Sequence, residues 1–177
     1  MIDFIDENNL TVYILTSEYE GKHYGMVATW ICPASLRTDE LRFTLALSKH
    51  NDSVNAIVRS RKFILHKISA SSFKVALKMG SSHSNSVDKF LGEDFHVHES
   101  GLRVLKSSLA FGLASVISSM ETEDRFILYC AVSKINSFDE NTSGLTQKEL
   151  FAQLSDDERK ILGTKYINDS LRDTPKS

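Results

Sequence analysis

The stretch Leu41-Arg42-Phe43-Thr44-Leu45-Ala46-Leu47 carries its large apolar side chains at every second position. Successive side chains of a strand point to opposite faces, so this period puts Leu41, Phe43, Leu45 and Leu47 on one buried face. Arg42, Thr44 and Ala46 fall on the other. Working outward, Thr11 to Thr16 is β-branched and aromatic, and Phe63 to Ile68 and Phe126 to Val132 are further strand candidates. Leu105 to Met120 is rich in Ala, Ser and Gly, which tolerate either state. There the alternation of Leu109, Phe111, Leu113 and Ile117 favours a strand. Between these strands, Asn51-Asp52 offers capping side chains, and Val54, Ile57 and Val58 follow at helical spacing. A second short helix is expected from Ser86 to Gly92.

The last third changes character. Thr146-Gln147-Lys148-Glu149 and Ser155-Asp156-Asp157-Glu158 both match the capping box, in which hydroxyl and carboxylate satisfy a helix's first amides reciprocally. Two small helices are expected, the second ending at Gly163, with a polar, frayed end from about Asp169. Leu150, Phe151, Leu154, Ile161 and Leu162 need a surface, either the β body or a partner subunit.

The chain has 177 residues, with 21 Lys+Arg against 23 Asp+Glu and a formal charge of −2. At roughly 100–200 residues per domain this is one domain, long enough for a real core without staples. A dedicated nucleic-acid binder would need an excess of basic residues, so that class is disfavoured. No apolar run approaches the ~20 residues of a membrane span. Cys32 and Cys130 make neither a disulfide framework nor a zinc pattern. The start, Met1-Ile2-Asp3-Phe4-Ile5-Asp6-Glu7, is acidic where a signal peptide would be basic. The expectation is a cytoplasmic, soluble protein without membrane or nucleic-acid partners.

Familiar enzyme motifs are missing: there is no GxxxxGK[ST], GxGxxG, HExxH or GxSxG. No side chain is therefore nominated as catalytic, and a bound cofactor would have to supply any chemistry. His96 and His98 would share a strand face, but they lack a third ligand, so no metal site is assigned. Gly80 to Ser86 has the composition of a mobile loop, or of one that closes over a ligand. The basic run Arg59, Arg61, Lys62, His66 and Lys67 is either a solvated face or a contact for a nucleotide phosphate. Both cysteines read as small buried residues.

The most informative stretch is Gly25-Met26-Val27-Ala28-Thr29-Trp30. Small residues beside a large aromatic let backbone approach something flat. The stretch resembles the Gly-Met-Thr-Ala-Ser-Trp signature of the flavin reductase-like family, whose members bind FMN in a split β-barrel. The alternating strand then leads into Ser48-Lys49-His50-Asn51-Asp52-Ser53, similar in position to the family's phosphate loop. Arg61 to Leu65, Val87-Asp88-Lys89-Phe90 and Asp124 to Val132 follow in the family's order, so the resemblance covers roughly residues 10 to 135. Four departures stand out: Val27 replaces the common Thr, Thr29 replaces Ser, Thr38-Asp39-Glu40 fills the place of the usual Pro-Pro, and Arg125 stands where many relatives carry His.

The resemblance implies a mainly β fold, a Greek-key split β-barrel with short helices over residues 1–144. Residues 145–177 would be a helical C-terminal extension of the same domain. It implies FMN held by Val27, Ala28, Thr29, Trp30, Ser48, Lys49, His50, Asn51, Ser53 and Lys89, with Ser53 in the place of the phosphate-binding hydroxyl. It also implies a homodimer with flavin near the interface, and NAD(P)H-dependent flavin reduction with NADH or NADPH as donor. Two rivals remain: a non-enzymatic FMN-binding electron carrier or sensor, and a barrel without flavin that serves as a dimeric interaction module. Independently of the resemblance, a helix N-terminus attracts phosphate, and Lys49, Ser48 and Ser53 add charge and hydroxyls. The plainer alternative is that Asn51 and Asp52 only cap a surface helix, and that Trp30 is core or a dimer contact.

Overall fold

A computed structural model describes residues 9–37, 39–81, 88–93, 95–139 and 141–172, except the side chains at 133 and 165–172. Its centre is a seven-stranded antiparallel sheet in the order β2-β1-β5-β8-β9-β4-β3. The strands are β1 (Tyr13–Tyr19), β2 (Lys22–Ala28), β3 (Ile31–Pro33), β4 (Leu41–Ser48), β5 (Lys62–Lys67), β8 (Ala110–Glu121) and β9 (Arg125–Ser137). A separate hairpin joins β6 (Phe95–Val97) to β7 (Arg103–Leu105). Four α-helices and a short 3-10 helix (Ala70–Ser72) complete the described residues: α1 (Asp52–Ser60), α2 (Phe73–Ser81), α3 (Gln147–Gln153) and α4 (Asp156–Arg172). None of them is long and apolar enough to cross a membrane.

The sheet must curl. β2 and β3 are its opposite edges, yet only Thr29 and Trp30 separate them in the chain. Seven flat strands at ~4.8 Å spacing would set those edges about 29 Å apart. Three Cα steps reach at most about 11 Å. The edges are therefore brought round to the Thr29–Trp30 corner, which closes a split barrel. The pairings β1–β5 and β4–β9 join strands distant in sequence, as a Greek key requires.

Inside lie Phe43, Leu45 and Leu47 of β4, with Leu15, Met26, Ala28, Phe63, Leu128, Cys130 and Val132. The alternation in β4 is thus realised, except that Leu41 at the strand's open end is 38% exposed. Val54 and Ile57 of α1 plug this core. A second apolar layer lies between the outer sheet face and the later helices, with Val12, Ile14, Met79, Phe90, Leu105, Leu145, Leu150 and Leu154.

Both capping boxes form. Thr146 Oγ1 accepts from Glu149 N and Glu149 accepts from Thr146 N, and Ser155 and Glu158 repeat the pattern. Leu150 and Leu154 are buried as expected, and Leu162 packs on the second layer, while Phe151 and Ile161 stay exposed. Four expectations need correction. Helix α2 was not foreseen. Residues 89–92 form a turn instead of a helix; Ser86 and Val87 lie outside the described residues, as do Ser82 to Asn85 of the supposed loop. Helix α4 runs through Gly163 to Arg172, because a glycine in a helix interior costs only about 1 kcal/mol. Cys32 is exposed, since β3 is an edge strand.

Candidate functional site

Trp30 stands where the barrel closes. Ile31 N donates to Thr29 O at 2.9 Å, which places Trp30 at the centre of a tight three-residue turn. Its own carbonyl accepts from Ala46 N at 3.1 Å, tying the corner to β4. Trp30 is 40% exposed, so it belongs to the rim and not to the core. The guanidinium carbon of Arg125 lies 4.4 Å from the ring centroid, a cation–π pair covering one face.

Ser48 is the last residue of β4 and the register partner of Arg125. Its Oγ is shut off from solvent and has no hydrogen-bond partner among the described residues. A buried hydroxyl without a partner is costly, so such an atom marks a place where an acceptor belongs. The chain then turns through Lys49 and His50 to Asn51, the N-cap of α1, whose side chain accepts from Ser53 N at 3.0 Å. Lys49 is held at the β8–β9 turn. Its Nζ donates to Thr122 O at 3.1 Å and lies 3.3 Å from Glu121 Oε1, while Lys49 N reaches Asp124 O at 3.2 Å. Arg125 Nε pairs with Asp124 Oδ2 at 3.0 Å. The two cations therefore face two carboxylates. These are partly exposed pairs, worth only about 0–1 kcal/mol, so an anion could exchange for them at little cost.

Ser53 and Lys89 lie deeper, behind β2. Ser53 Oγ donates to Gly25 O at 3.0 Å, and Lys89 Nζ donates to the same carbonyl at 2.7 Å and to Met79 O at 2.9 Å. Both residues are buried. A side chain at position 25 would meet Met79 Sδ at 2.5 Å, so glycine there lets α2 press onto β2. The same strand sorts its other residues by face: Met26 and Ala28 enter the barrel core, and Val27 packs towards α2.

The structure thus gathers Thr29, Trp30, Ser48, Lys49, His50 and Asn51 on one rim. It holds Ser53 and Lys89 against Gly25 O, turns Ala28 into the barrel core and packs Val27 towards α2. The residues that sequence reasoning passed over are Glu121, Thr122 and Asp124. They reach the site through the β8–β9 turn, 72 positions or more from Lys49, and nothing local signals them.

A family model described as flavin reductase like domain matches residues 7–155. A Nostoc sp. protein bearing the name diflavin flavoprotein A 2 is 27% identical over 122 residues, which is 68% of this chain and 21% of that protein. The chain thus spans about a fifth of that relative's length. Among solved structures, nitrilotriacetate monooxygenase component B from Mycobacterium thermoresistibile superposes with a TM-score of 0.66 at 24% identity, covering 75% of this chain and 72% of that one. An FMN-binding protein from Thermus thermophilus, with bound p-hydroxybenzaldehyde, gives a TM-score of 0.67 at 15% identity over 76% and 74%. Likeness at these identities is a likeness of fold.

Proposed function

The chain belongs to the flavin reductase-like family, and on that premise we propose that it binds FMN at the Trp30–Ser48 rim and passes reducing equivalents from NADH or NADPH through it. The observation that carries the reading is the orphaned Ser48 hydroxyl beside Lys49 at the start of a nine-residue helix. A phosphate is the acceptor such a corner fits, because the positive end of α1, a lysine and an unpaired hydroxyl meet there, with Ser53 N and Val54 N already held by Asn51. Ser53 contributes differently. Its one proton is on Gly25 O, so with Lys89 it braces the strand behind the ligand. Trp30 offers one open face for stacking, and Thr29 supplies a hydroxyl at the edge. Bound there, FMN would supply two-electron transfer. The chain's own residues orient it, exclude water on the barrel side and balance its phosphate charge.

We assign residues 145–177 to the same domain as the barrel, since Leu145, Leu150 and Leu154 share one apolar layer with Val12 and Ile14. We also propose a homodimer. Trp30, Ile117 and Met120 are all exposed, and the latter two lie on the far half of β8. A second copy covering that strand would also wall in the rim.

The test is direct. The purified protein is expected to be yellow or to take up FMN, to be bleached anaerobically by NADH or NADPH, and to sediment as a dimer at micromolar concentration. Flavin bound but unbleached by either nucleotide would favour the electron carrier. No flavin uptake would overturn the proposal.

A further inference from the structure

From His23 to Thr29, β2 rises about 20 Å, so its first residues lie at the end of the barrel away from Trp30. There the buried Phe90 ring is boxed by three neighbours. Phe95 meets it edge-on with centroids 4.9 Å apart, His23 does so at 6.0 Å, and the Arg103 guanidinium carbon lies 5.2 Å from its centroid. Two nitrogens at this spot, His23 Nδ1 and Arg103 Nε, are shut off from solvent without a hydrogen-bond partner among the described residues. The nearby carboxylates are turned to backbone: Glu18 Oε1 accepts from Gly21 N at 2.6 Å, and Asp88 Oδ1 from Phe90 N at 2.9 Å. Burial lowers the basicity of His23, and Arg103 lowers it further, against weaker opposing pulls from Glu18 and Asp88. A guanidinium and an imidazole are thus held close together over an apolar floor.

We propose that Arg103 and His23 form a binding site for a phosphate-type oxyanion beside the Phe90 ring, at the opposite end of β2 from the flavin rim. The unpaired, buried Arg103 Nε is a donor that a ligand acceptor would satisfy, and His23 Nδ1 joins it as a donor in the Nδ1–H tautomer. A guanidinium suits it best, since Nε and Nη form a planar fork that matches two phosphate oxygens. Free phosphate and the phosphate of a nucleotide share this chemistry. The site does not depend on FMN binding.

The test is nitrogen-resolved NMR of the Arg103 Nε–H in the full chain as purified, titrated with inorganic phosphate and with adenosine monophosphate against a chloride control of equal ionic strength. The resonance is expected to move downfield and saturate. Calorimetric affinity is expected to fall at least tenfold in Arg103→Gln, and severalfold in His23→Phe, which keeps a ring against Phe90. Tenfold tighter binding of the nucleotide would make a nucleotide the ligand; equal binding would make it free phosphate. If Arg103→Gln fails to fold, Arg103→Lys keeps the charge but loses the fork, and it too is expected to weaken binding tenfold. A resonance that moves no more than chloride moves it, or unchanged phosphate affinity in a folded variant, would overturn the site.

Discussion

Two polar side chains enter sealed corners of this barrel and fare oppositely. His66 is fully buried on β5, with Nδ1 3.1 Å from Ile14 O and Nε2 accepting from Leu105 N at 3.2 Å. The acceptor role of Nε2 fixes the tautomer, so the Nδ1 proton goes to Ile14 and the ring staples β1, β5 and β7. Ser48 Oγ, at the other corner, is sealed and has no partner among the described residues. A satisfied buried group holds a fold together. An unsatisfied one lowers stability unless something else completes it. The difference separates a scaffold corner from the proposed site on one and the same sheet.

The largest effect expected comes from uncovering the His66 corner. Leu145, Leu150 and Leu154 share a layer with Ile14 and Leu105, and Leu145 bonds by backbone to Val12 and Ile68 at 2.7 Å each. Fully burying one leucine is worth roughly 1.5–3 kcal/mol, so deleting residues 145–177 is expected to cost about 5 kcal/mol or more. Calorimetry would show a sharply lowered or lost unfolding transition. An unchanged melting curve would mean the tail does not roof this corner.

Next is the staple itself. His66→Leu leaves Leu105 N buried without its acceptor, at about 1–3 kcal/mol, and removes the side-chain bond to Ile14 O, and urea unfolding should register the loss. The pH dependence follows with its sign. Burial pushes the His66 pKa from 6.5 down to about 4. Between those values the unfolded chain takes a proton that the folded chain refuses. Stability is therefore fully present above pH 6.5 and is lost as pH falls towards 4, by about 3 kcal/mol. His66→Leu should flatten that window; a slope equal to wild type would assign it to other groups.

How much of this contrast was legible in the chain varies with the range of the interactions. The β4 alternation, the helix at Asn51 and both capping boxes depend on neighbours within four residues, and each stands in the structure. Helix α2 escaped notice because Phe73, Val75, Ala76, Leu77 and Met79 are all at least partly buried, so its apolar pattern wraps more than one face. Trp30 reads in the sequence either as a flavin-binding residue or, by its size, as core or a dimer contact. Its place on the rim follows from two sheet edges meeting at Thr29–Trp30, which no local pattern reveals. The site is legible as a turn with a lysine and hydroxyls. Which hydroxyl is spare depends on Gly25, 28 residues from Ser53, and on Arg125 facing Ser48 across the sheet.

The smallest effect expected on stability is at the rim. Ser48→Ala removes a buried polar group that has no partner, so unfolding free energy should stay within about 0.5 kcal/mol of wild type or rise slightly. Ser53→Ala, which breaks the bond to Gly25 O, should cost about 1 kcal/mol and weaken FMN and riboflavin alike.

The measurement that reaches furthest is a titration of FMN and riboflavin into wild type and Ser48→Ala. A hydrogen bond to a charged group is worth about 1.5–3 kcal/mol, so FMN should bind the variant roughly ten- to hundredfold more weakly. Riboflavin, which lacks the phosphate, should bind both proteins equally. Equal FMN affinity in the two proteins, or an equal loss for both flavins, would contradict a phosphate at Ser48.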